Sequence, residues 1–99
     1  MKMPRRLVKD NAAEADLVDI WLYSFENWGE MQADRYLDVI ESTLKELTKN
    51  PEDGERRDGL RTGYWSVRVG HHVAFYTFTD EELRLRRVLH EVMDLGRLL

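Results

Sequence analysis

The chain reads as an α+β domain in the order β-α-α-β-β-β: an N-terminal strand, an antiparallel helical hairpin and a three-stranded antiparallel meander. Three observations predict this. Apolar residues recur in steps of three and four over two consecutive segments, with Gly29 between them. Alternating and β-branched runs fill residues 64–90, broken by two short turn signals. A brief apolar-tipped run, Arg5-Arg6-Leu7-Val8, precedes the helices and reads as the first strand.

Asn11 stands at a helix-cap position with Glu14 three residues on, the spacing of a capping box. The stripe Ala13, Leu17, Ile20, Trp21, Ser24 and Trp28 is then expected to face the core, with Gly29 ending the helix. A second stripe, Ala33, Tyr36, Leu37, Ile40, Leu44 and Leu47, runs to Asn50-Pro51, where proline stops the ladder. Helices joined so closely must fold back on each other. Asp16, Asp19, Asp34 and Asp38 lie off the stripes and read as a solvated face.

Residues 52–63 are polar and arginine-rich, a loop. Residues 64–69 alternate Trp65, Val67 and Val69 against Ser66 and Arg68, a half-buried strand. Gly70-His71 marks a turn, residues 72–79 a second strand, Thr79 to Glu82 another turn, and residues 83–90 a third strand. Arg87 shares parity with Leu85 and Leu89, so either the strand bulges there or the arginine is buried beside an acid. The tail from Met93 to Leu99 either forms one helical turn or packs without one.

Ninety-nine residues form one domain, residues 1–99, and 42% of them are apolar, enough for a compact core without cross-links. The absence of cysteine excludes disulfides, thiolate metal sites and thiol nucleophiles, and suits a reducing compartment. The opening MKMPRRLVKD lacks an apolar stretch, and no run approaches the roughly 18 apolar residues of a membrane span. A soluble cytoplasmic protein is expected, with no membrane contact. The net charge of −4 gives no global field for nucleic acid, so direct sequence-specific binding to it is not expected. Beyond Pro51 every Lys or Arg position is an arginine, suited either to bidentate recognition or to a solubilising sheet surface.

The ordered strings are familiar. Ala15-Asp16-Leu17, Ile20-Trp21-Leu22-Tyr23, Trp28-Gly29 and Gln32-Ala33-Asp34-Arg35-Tyr36 resemble the helical hairpin of ParE toxins in the ParE/RelE superfamily. Leu60-Arg61-Thr62-Gly63-Tyr64, the stretch Arg68 to Tyr76, and Arg87-Val88-Leu89-His90 with Met93-Asp94 are similar to that family's sheet. The resemblance covers about residues 5–99. It implies a RelE/ParE-like fold and the toxin role in a type II toxin–antitoxin system. A ParD-like antitoxin would neutralise it, and DNA gyrase is the target typical of ParE toxins. RelE relatives instead cut mRNA on the ribosome, and one scaffold serves both activities. An inert family member that only holds its antitoxin is the remaining reading.

RNA cleavage requires a base for the 2′-hydroxyl, a cation for the phosphorane and an acid for the leaving oxygen. Arg68 and His90 are the candidates for that chemistry, but no tyrosine follows Tyr76. His90 is alternatively structural, fixing the tail. The resemblance therefore implies a poison acting by binding rather than by its own catalysis. Arg61, Trp65, Arg68, Arg86, His90 and Arg97 are the candidate contacts for antitoxin or target, with Trp65 alternatively capping the core. His71 and His72 are expected to be exposed at a turn and to make a poor metal pair. No metal and no cofactor are expected.

Overall fold

A computed structural model describes residues 4–93. The order is β1 (Arg6–Lys9), α1 (Asn11–Trp28), α2 (Glu30–Lys49), a 3-10 turn (Pro51–Asp53), β2 (Glu55–Arg56), β3 (Trp65–Val69), β4 (His72–Phe78) and β5 (Glu82–His90). The helices and the meander stand where the hydrophobic periods predict them. Two features exceed that reading. The five strands form one sheet in the order β1-β5-β4-β3-β2, with β1 parallel to β5. β2 arises inside the expected loop, because two residues paired to Ser66 and Trp65 are too few to display an alternation.

The hairpin covers one face of the sheet. Leu17, Ile20, Ile40, Leu44 and Leu47 from the helices meet Val69, Ala74, Tyr76, Leu83, Leu85 and Val88 from the strands. On the opposite face Tyr64, Phe75 and Leu89 make a smaller cluster. Gly29 carries the chain from α1 into α2 at φ +88, a conformation open to glycine and strained for other residues.

The capping box is not made. Asp10 is the residue before α1, the Glu14 amide donates to its carbonyl, and no side chain caps the helix. The Asp10 carboxylate turns instead to Arg84 Nη1 at 3.0 Å and Arg86 Nη1 at 3.1 Å. Two bonds to guanidinium cations outweigh one to a backbone amide. Partial burial works against the Asp10 carboxylate, but those two guanidiniums prevail and hold it below its ordinary value.

The bulge foreseen at Arg87 occurs, and the arginine, half-buried rather than buried, is paired with an acid. The pairing shifts between Phe75 and Tyr76, which face Arg87 and Leu85 respectively, so Arg86 is an extra residue. Leu85 and Val88, three apart, thereby both reach the core. Arg87 forms a fork with Asp16: Nε to Oδ2 at 2.7 Å and Nη2 to Oδ1 at 2.9 Å. The Val88 amide donates to the same Oδ2 at 2.9 Å. Asp16 is thus a structural anchor rather than part of a solvated helical face. Among the other acids so assigned, Asp34 accepts from the Trp21 indole at 2.9 Å.

The two helical tryptophans are not core residues as expected. Trp21 is half-buried and stacks on Phe25 at 5.2 Å, while Trp28 is 63% exposed. Periodicity shows which side of a helix turns inward but not where the opposing layer stops. The buried stripe ends at Ser24, and Trp28 reaches past it to the mouth of a groove. The expected turn or packing of the tail falls, from Asp94 onward, outside the described residues.

Candidate functional site

Where the sheet runs out beneath the hairpin, the tight turn between β3 and β4 meets α2. Gly70 adopts φ +59, and a Cβ there would lie 2.6 Å from the Tyr36 hydroxyl oxygen. That hydroxyl donates to the Val69 carbonyl at 3.1 Å and accepts from the His71 amide at 3.1 Å. His72 Nδ1 lies 2.7 Å from it. A phenol has one proton, and the direction of its bond to His72 follows the imidazole tautomer. One phenol thus ties the turn to the helical layer.

His72 faces the helices rather than solvent, a correction to the expected exposure. It follows from register: Val69, paired with His72, is a core residue, and residues in register share a face. Burial, with the neighbouring His90 and His71 adding to it, pushes the His72 imidazole down to about 4. His90 pairs with His72 across β4 and β5, with ring centroids 5.3 Å apart. Its Nδ1 accepts from the Val92 amide at 3.3 Å, fastening the chain just past β5. His71 is exposed and 3.4 Å from Glu91.

Together these groups form one wall of a groove of about 850 Å³; Ile20, Tyr23, Ser24 and Trp28 of α1 form the other, with Asp19 at its edge. This volume lies within the roughly 300–1,000 Å³ of ordinary ligand clefts. Tyr23 and Trp28 meet edge-to-face at 5.8 Å on its rim.

The candidates from sequence do not converge here. His90 lines the groove, whereas Arg68 pairs with Val73, in turn paired with Leu89 of the opposite cluster, and so projects from the other face. Arg68 is engaged by Glu91. Trp65 lies on the helix side, packs against the core and contacts Phe78 at 5.5 Å, which favours its capping role. Arg86 bonds Thr77 Oγ1 and Asp10. Arg61 lies over the Tyr64 ring at 5.5 Å. Arg97 is outside the described residues. Tyr36, Asp19, Tyr23 and Trp28 were missed as site residues. Helical spacing marked Tyr36 and Trp28 as core, and the only local sign was the Gly70-His71-His72 turn, whose partner lies on another element. Among the described residues no helix is long and apolar enough to cross a membrane.

Comparison with known proteins follows the same outline. The profile described as "ParE toxin of type II toxin-antitoxin system, parDE" matches residues 7–95. The chain is 36% identical over 96 residues to Toxin ParE1 of Mycobacterium tuberculosis, covering 96% of this chain and 98% of that protein. It is 38% identical over 82 residues to Toxin ParE1 of Caulobacter vibrioides, covering 83% and 84%. Among solved structures, the chromosomal ParDE system of P. aeruginosa superposes with a TM-score of 0.76 at 19% identity, over 87% of this chain and 95% of that one. The YoeB dimer of Staphylococcus aureus gives 0.64 at 19%, over 89% and 98%. The two structures share the fold, as the resemblance implied, and the profile and the ParE1 relatives show more: this chain belongs to the ParE toxins of type II toxin–antitoxin systems.

Proposed function

We propose that this toxin arrests growth by binding DNA gyrase and stabilising its cleaved-DNA state, and that a ParD-like antitoxin neutralises it by wrapping the toxin. In such a mechanism a preference for one state of the target is sufficient, and no reaction is performed by the toxin itself. The observation that carries this reading is that Arg68, the cation that RNA cleavage would need beside His90, is committed to Glu91. A phosphoryl-transfer site needs cation and acid–base group on one scissile phosphate. The cations around β5 are also committed, Arg84 and Arg86 to Asp10 and Arg87 to Asp16. The groove beside the hairpin supports docking of a partner segment, with the toxin working in the cytoplasm where such partners reside.

Purified toxin added to a gyrase supercoiling reaction, beside primer extension on translated message, tests this. Inhibited supercoiling with intact message is the expected result. Codon-positioned cuts that vanish in His90→Ala would replace it with ribosome-dependent cleavage.

A further inference from the structure

Among the described residues, the one charge that remains available on the groove is acidic, and no cation lies over its aromatic faces. Asp19 borders the groove and, among the described residues, has no hydrogen bond or ion pair. Elsewhere the rings of Phe78, Trp65 and Tyr64 each lie under an arginine; Tyr23, Trp28 and Tyr36 do not. Glu91 completes the wall, already held by Arg68. α1 contributes Glu14, Asp16, Asp19 and Glu26 and not one Lys or Arg. Its apolar surface continues outside the groove through exposed Leu22 and Phe25.

The sequence marked arginines as the main candidate contacts. Those described around β5 are neutralised within the molecule.

We infer that the groove between α1 and the Tyr36–His72–His90 wall is a receptor for a guanidinium or ammonium group borne by an apolar peptide segment. The cation would lie against the faces of Trp28 and Tyr23, as positive charge does over aromatic rings. It would donate to the Asp19 carboxylate, while flanking apolar side chains cover Ile20 and Met93. A second copy packed face to face through this groove is a poor occupant, since α1 would meet α1, acid against acid. The inference refines the proposed antitoxin wrapping by fixing the chemistry of the segment that enters here.

The test uses full-length toxin and three synthetic amphipathic peptides of identical apolar stripe whose central residue is arginine, citrulline or glutamate. Binding is followed by NMR shifts of the Trp28 indole and the His90 ring. The arginine peptide should bind roughly tenfold more tightly than the citrulline peptide, the worth of one charge-assisted hydrogen bond. In Asp19→Asn that ratio should fall below about threefold, and Trp28→Ala should weaken the arginine and citrulline peptides together, since it removes both ring face and apolar area. Glutamate binding as tightly as arginine, a ratio untouched by Asp19→Asn, or no shifts at Trp28 and His90 with any peptide would overturn the inference. Rescue of growth arrest by the co-expressed product of the neighbouring gene reads antitoxin wrapping separately. Rescue that persists while the arginine preference is absent removes the cation site and leaves neutralisation standing.

Discussion

Two tyrosines, Tyr76 and Tyr36, close opposite ends of the layer between hairpin and sheet, and they do it differently. Tyr76 is fully buried against Leu83 and Leu85, and its hydroxyl donates to the Pro51 carbonyl at 2.5 Å. Burial pushes that phenol up to about 12. Tyr36 is half-buried, and its hydroxyl serves a turn and an imidazole bordering an open groove. The first end is sealed by apolar area with one polar bond satisfied. The second is held by polar bonds, and the described residues leave its apolar walls unfilled. Stability is therefore concentrated at one end of the core, and surface available for a partner at the other.

Truncation contrasts the ends most strongly. Leu85→Ala at the sealed end should cost about 3–4 kcal/mol in urea unfolding, through lost burial plus a cavity that cannot collapse. Ile20→Ala, beside the groove where neighbours and water can enter the gap, should cost about 2 kcal/mol. Equal losses would break the distinction.

Asp16→Ala should cost about 2 kcal/mol by the same measurement, less than a fully buried pair because Arg87 keeps some solvent contact. Part of that loss comes from the Val88 amide, so amide exchange at Val88 should accelerate. Tyr36→Phe should cost about 1 kcal/mol and loosen the turn at Gly70 and His71, seen as new amide shifts confined to that end.

A further effect is a drift with acidity. The folded chain holds His72 near 4, whereas the unfolded chain titrates it near 6.5. Its contribution is complete above about pH 6.5 and declines as pH falls toward 4, because only the unfolded state gains the proton readily. The melting temperature of the wild type should fall over that window, and His72→Gln should reduce the fall. His90, His71, Tyr36, Asp19 and Glu91 surround the ring. A drift of unchanged size in the variant would assign it to one of those groups.

The sequence carried the fold well and the groove poorly, and the reason is physical. Periods of 3.6 and 2 report which side of an element turns inward, so the helical stripes and the meander were legible from Leu17, Ile40 or Val67. Partnerships between distant elements leave no period. Asp16 looked like surface because its partner is Arg87, and Asp10 was passed over as a cap although it gathers two arginines. Trp28 was misplaced because a stripe does not announce where the layer beneath it ends. His72 looked exposed because a turn dipeptide conceals that its second residue already belongs to a strand whose inner face it shares.

The short reach of β1 has a last consequence. It pairs with β5 only through Leu85, so the following residues would offer their backbone as a template for another chain's strand. Asp16 already takes the Val88 amide there, and the extra residue Arg86 disturbs the regular hydrogen-bond spacing a newcomer would need. The chain is thereby shielded from polymerising through its own sheet edge. Asp16→Ala should make itself felt as higher-order species at raised concentration as well as in lost stability.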